Sequence, residues 1–93
     1  MKISEAIAQW QDESIRIKYG PKIAEVFSGV SLATLRDFQN NFVPLNPDDD
    51  GATFFKQQQE EFSKCLKLEC SSIGKMVRDT MGMKPLNEDY ELD

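Results

Sequence analysis

Ile3, Ala6, Ile7, Trp10 and Ile17 recur at helical spacing, with Glu5, Gln9, Asp12, Glu13 and Arg16 between them. This spacing predicts an amphipathic helix of about four turns. Gly20 and Pro21 mark its end, because glycine suits a left-handed cap and proline cannot continue the ladder. Pro21 then opens a second, short helix through Ile23, Ala24, Val26 and Phe27, closed by Ser28-Gly29. Ser31 is read as the cap of a third helix, with Leu32, Leu35, Phe38 and Phe42 as its stripe. Pro44 and Pro47 break the pattern, and Asn46 to Gly51 is the most turn-rich stretch.

A fourth helix is expected from Ala52 to Lys67. Phe54, Phe55, Phe62, Cys65, Leu66 and Leu68 supply its apolar positions, and Lys56, Gln57, Gln59, Glu60 and Lys64 its polar face. Ser71 or Ser72 caps a fifth helix through Ile73, Met76, Val77 and Met81, closing near Gly82. No window alternates in the manner of a strand. The expected architecture is all-α: a compact bundle of four to five short helices over 1–83. Residues 84–93, with Pro85 and a cluster of acids, are expected to form a frayed, disordered acidic tail.

Composition narrows the chemistry. The 93-residue chain has no histidine and a net charge of -5, with acids concentrated at Asp48-Asp49-Asp50 and at Glu88-Asp89-Tyr90-Glu91-Leu92-Asp93. Without histidine the usual general base and commonest metal ligand are missing. The net charge disfavours simple adhesion to nucleic acid or anionic lipid. A hydrophobic fraction of 40% suits a folded domain, and no apolar run reaches bilayer length. Met1-Lys2-Ile3-Ser4-Glu5 leads into no signal-peptide core, so a reducing cytoplasmic setting is expected. Cys65 and Cys70 should then be free packing residues, since their spacing is not that of a redox pair.

Each local motif has a plainer structural alternative. Asn46, Asp48, Asp50 and Gly51 fall on early positions of a calcium loop, but Gln57 and Thr53 stand where a bidentate carboxylate and an aliphatic residue belong. The three aspartates are better read as caps facing the positive end of the fourth helix. Ser72-Ile73-Gly74-Lys75 has the SxxK spacing of some acyl-transferring enzymes, without their companion motifs. No enzymatic activity, metal or cofactor is expected.

Ile23 to Arg36 resembles the helix-turn-helix of MerR-type regulators, in which a Gly-Val-Ser turn precedes a helix carrying Thr-Leu-Arg. Here these are Gly29-Val30-Ser31 and Thr34-Leu35-Arg36, and Asp50-Gly51-Ala52-Thr53-Phe54-Phe55 stands where a wing would be. The first helix is short for the motif, the wing lacks its basic residue, and Asp37 follows Arg36 in place of an aromatic. The resemblance covers about a third of the chain and implies DNA contacts from Thr34 and Arg36. A second segment, Phe62 to Arg78, fits a generic helix-turn-helix with Lys75 and Arg78 facing outward. No basic stripe accompanies either segment.

The leading expectation is therefore a small acidic helical protein that binds and modulates a macromolecular partner, most naturally a basic protein surface. Inhibitors, immunity proteins, antitoxins and small chaperones have this profile. The expected partner-binding residues are Asp48, Asp49, Asp50, Glu88, Asp89, Tyr90, Glu91 and Leu92, with charge steering the encounter and Tyr90 and Leu92 as apolar anchors. The alternative is a helix-turn-helix DNA-binding regulator acting through Thr34, Arg36, Lys75 and Arg78. No membrane partner is expected, and self-association is compatible with the generous apolar stripes.

Overall fold

Two helices form where the pattern offered one. In the computed structural model, which describes residues 1–44 and 51–93, α1 is Ile3–Ala8 and α2 is Glu13–Val26. The break comes from Asp12. Its backbone is extended, and its Oδ1 accepts from the Ser14 amide at 3.0 Å and the Ser14 hydroxyl at 2.7 Å. Such a cap stabilises a helix start by about 1 kcal/mol. Restarting here gives α2 its own register, which buries Tyr19 and Ile23 and leaves Ile17 exposed. Ile17 therefore does not share the buried face of Ile3, Ile7 and Trp10, contrary to the simple periodic reading.

Pro21 also fails to end the helix. It lies inside α2 and removes only the bond its own amide would have sent to the Ile17 carbonyl. That carbonyl belongs to an exposed residue, so water can take the missing partner's place.

After Phe27 and Ser28, α3 runs Gly29–Asn41. Its N-cap residue is Ser28, and Ser31 is a fully buried residue of the first turn. Gly51 precedes α4 with a φ of 106°, a left-handed value that favours glycine. The acids Asp48 to Asp50, expected to cap this helix, lie outside the described residues. α4 is Ala52–Cys70, three residues longer than the pattern suggested. Ser71 alone separates it from α5, Ser72–Thr80, and caps α5 by accepting from the Gly74 amide at 3.1 Å. Among the described residues there are five helices and no strand, apart from an isolated antiparallel bridge between Lys2 and Glu91. The all-α short-helix bundle is as expected.

α4 is the centre of the bundle, with α1, α3 and α5 packed on it. Ile3, Ala6, Ile7 and Trp10 meet Tyr19, Ile23 and Phe27 across Phe62, Cys65 and Leu66. The Trp10 ring meets Phe62 edge-on at 4.6 Å, and its indole nitrogen donates to Gln58 at 2.8 Å. The buried tryptophan thus keeps a polar partner.

The tail departs most from expectation. Residues 84–93 form no helix, yet they are neither frayed nor disordered. The Ile3 amide donates to the Tyr90 carbonyl at 2.8 Å, and the Leu92 amide donates to the Met1 carbonyl at 3.0 Å. Leu86 and Leu92 are both buried in the core. Burying each leucine contributes about 1.5–3 kcal/mol, enough to matter in so small a domain. The acids hid this anchoring, because they occupy the positions between the leucines and face water.

Candidate functional site

The most polar point of the interior joins five segments. Glu69, near the end of α4, is only 1% exposed, and Arg78 of α5 is 5% exposed. Glu69 Oε2 accepts from Arg78 Nη1 at 2.8 Å. Its Oε1 accepts from the Ser28 amide at 2.9 Å, the Ser28 hydroxyl at 2.5 Å and the Ser31 hydroxyl at 2.6 Å. Arg78 also donates to the Val26 carbonyl at 2.8 Å and, through Nε, to the Lys84 carbonyl at 2.6 Å. One ion pair therefore fixes the end of α2, the start of α3, α4, α5 and the start of the tail.

Burial alone pushes the Glu69 carboxyl up. Hydrogen bonds from Ser28, Ser31 and Arg78 outweigh it, so the carboxyl ends below its usual range. This cluster is a structural clamp, and it removes Arg78 from the outward-facing set proposed for DNA. Sequence spacing could not have paired Glu69 with Arg78, because they lie on different helices.

The acidic tail residues separate into two groups. Leu92, expected as a docking anchor, is a core residue. Glu88, Asp89, Tyr90 and Glu91 are exposed, with 81% of the Asp89 side chain open to solvent. Around them run exposed ion pairs: Lys2 with Asp89 at 3.6 Å, the Met1 amino group with Glu91 at 3.0 Å and with Asp93 at 2.7 Å, and Lys22 with Asp93 at 3.5 Å. The hydrogen bond from the Met1 amino group leads in lowering Asp93 to about 2, with the Tyr19 hydroxyl adding to it. The same contacts with Asp93 and Glu91 raise the amino group to about 10.

Of the DNA-facing candidates, the Thr34 hydroxyl is turned back onto the Val30 carbonyl at 3.1 Å. Arg36 is exposed and lines a cavity of about 360 Å³ with Gly20, Ala24, Leu32, Leu35 and Phe62. Lys75 is exposed on α5. With Arg78 buried, the four residues form no common basic surface. The α2–α3 junction of Phe27 and Ser28 does give two helices joined by a short turn.

Thiol chemistry has little support. Burial leads in pushing the Cys65 thiol up to about 11 and raises Cys70 as well, which disfavours the thiolate in both. Among the described residues, no three His, Cys, Asp or Glu side chains converge as a metal site. Ser72 and Lys75 of the SxxK spacing are both exposed.

α5 carries a feature the periodicity concealed. Its apolar residues Ile73 and Met76 are 68% and 70% exposed, and Met81 beyond its end is also exposed. The inward positions are Gly74 and Arg78. A Cβ at Gly74 would fall on the Leu68 carbonyl oxygen and stand 2.6 Å from that of Glu69. Only glycine admits this approach, and turning it inward turns Ile73 and Met76 outward. Among the described residues, no helix is long and apolar enough to cross a membrane. The chain matches no protein-family model, no curated protein and no solved structure.

Proposed function

We propose that this protein binds and modulates a partner protein with a basic surface, through the acidic face formed by Glu88, Asp89 and Glu91 with Tyr90 among them. The observation that supports this most is the anchoring of the tail. Its backbone is bonded to Met1 and Ile3, and Leu86 and Leu92 hold it in the core while its acids face water. An acidic segment already ordered loses less conformational freedom on binding than a flexible tail. The ion pairs on this face are exposed, and such pairs contribute about 0–1 kcal/mol, so a partner's cations can replace Lys2 and Lys22 at little cost. Tyr90 adds an amphipathic ring of the kind enriched at protein interfaces.

The rival reading, a DNA-binding regulator, draws support from the α2–α3 turn. It is weakened by the buried Arg78 and by Asp37 beside Arg36. Affinity capture from cell lysate, with and without nuclease, tests both readings. A nuclease-resistant protein should be retained by the unmodified chain and lost by a Glu88→Lys, Asp89→Lys, Glu91→Lys variant. Its association rate should fall as salt rises, because screening weakens steering between exposed charges. A sequence-selective gel shift at low salt that Arg36→Ala abolishes would overturn this reading in favour of DNA.

A further inference from the structure

We infer that α5 is a self-association surface, and that its occupant is α5 of a second copy of this chain in antiparallel, two-fold packing. At 100° per residue, Met76 stands at the middle of the solvent face of α5. Ile73 and Thr80 lie to one side of it, and Asp79 and Lys75 to the other. The apolar part continues to Met81, whose methyl lies against the start of α3 at 4.0 Å from the Cβ position of Gly29. Val30 follows there and is itself exposed. An amphipathic helix normally buries its apolar stripe, and here the close approach at Gly74 keeps that stripe in water.

Charge decides the occupant. The acidity of the chain sits in the tail and in Asp48 to Asp50, not on α5. Arg78 is neutralised by Glu69, which leaves Lys75 and Asp79 as the exposed charges of the helix. One of each sign on one flank selects neither an acidic nor a basic foreign partner. It does match itself. A two-fold axis near Val77 sets Lys75 of one copy against Asp79 of the other, twice, because antiparallel helices bring like flanks together. The same axis places both Met76 side chains within a turn of the centre, with Ile73 on the flank of each opposite to the charged pair. A patch this short buries less than a standard interface, so association belongs in the micromolar range.

Sedimentation velocity across about 5–500 μM spans that affinity range and tests the inference. The unmodified chain should pass from monomer to dimer. Met76→Asp should remain monomeric at every concentration, with an unchanged helical circular-dichroism spectrum because the side chain is exposed. Lys75→Asp or Asp79→Lys alone should each weaken dimerisation about tenfold, since the symmetry replaces two rim pairs with two repulsions. The double exchange should restore it. A monomer at all concentrations overturns the inference. So does a dimer that survives Met76→Asp, or a double exchange as weak as the singles.

Discussion

The two ends of α4 are held together by different physics. Near its start, Phe54 contacts Phe38, Phe42 and Phe55 at centroid distances of 5.0 to 5.6 Å, and the Arg16 guanidinium stacks over Phe55 at 3.8 Å. All four rings are only half-buried. Near its end, Glu69 and Arg78 are enclosed, and each lone pair and N–H they use has a defined partner. Apolar ring contacts are tolerant of direction, and a partial loss leaves the remaining rings to rearrange. A buried ion pair has no such latitude, because removing one member strands the other's charge. The molecule thus has one forgiving end and one exacting end on a single helix.

This contrast predicts a ranking. Glu69→Ala or Arg78→Ala should have the largest effect, a loss of about 3–5 kcal/mol that leaves the domain largely unfolded. Denaturant titration measures it. A loss below 1 kcal/mol would mean that water compensates the stranded charge and the clamp is not exacting. Next come the core leucines of the tail and the close approach at Gly74. Leu86→Ala and Leu92→Ala should each cost about 2–4 kcal/mol, and Gly74→Ala about 1–3 kcal/mol because its Cβ has no room. If removing 88–93 left the melting temperature unchanged, the tail would not be part of the core.

At the forgiving end, Phe42→Ala or Phe54→Ala should cost only about 1–2 kcal/mol, since rings that stay half in water lose less on truncation than buried ones. Equal losses at the two ends would erase the distinction. The smallest effects concern pH. Glu69 is held below its ordinary range, so its stabilisation is complete above that range and is lost as pH falls through the lowered value. Asp93 follows the same sign, fading as pH drops from its ordinary value of 3.8 towards about 2. The Met1 amino group has the opposite sign: its contribution is whole below pH 8.0 and lost as pH rises through about 10. Melting temperature against pH should therefore fall at both extremes, and Asp93→Asn should flatten both slopes slightly. An unchanged alkaline slope in that variant would show that the amino group and Asp93 are not coupled.

Much of the helical plan was legible because its signals are local. The periodic residues of α3, α4 and α5, the Ser71 cap and the Gly51 turn each depend on neighbours within a turn or two. Asp12 and Ser14 also carried a readable capping signal, but the apolar match of Ile17 to Trp10 outweighed it, and Gly20-Pro21 then drew the boundary to the wrong place. The acids of the tail were equally plain, and they misled because charge density was taken as a sign of disorder, with Leu86 passed over and Leu92 read as a docking anchor.

The sequence by itself determined that this protein is an all-α bundle with its excess acidity gathered at Asp48 to Asp50 and at Glu88 to Asp93. Only the tertiary structure decided which faces turn inward. Glu69 and Arg78 become partners through the fold of α5 against α4, Leu86 and Leu92 become core once the tail pairs with Met1 to Ser4, and Ile73 and Met76 are turned outward by the space that Gly74 leaves. Periodicity encodes that a helix has an apolar side. The direction of that side is fixed by which backbones can approach closely, and that depends on residues distant in the chain.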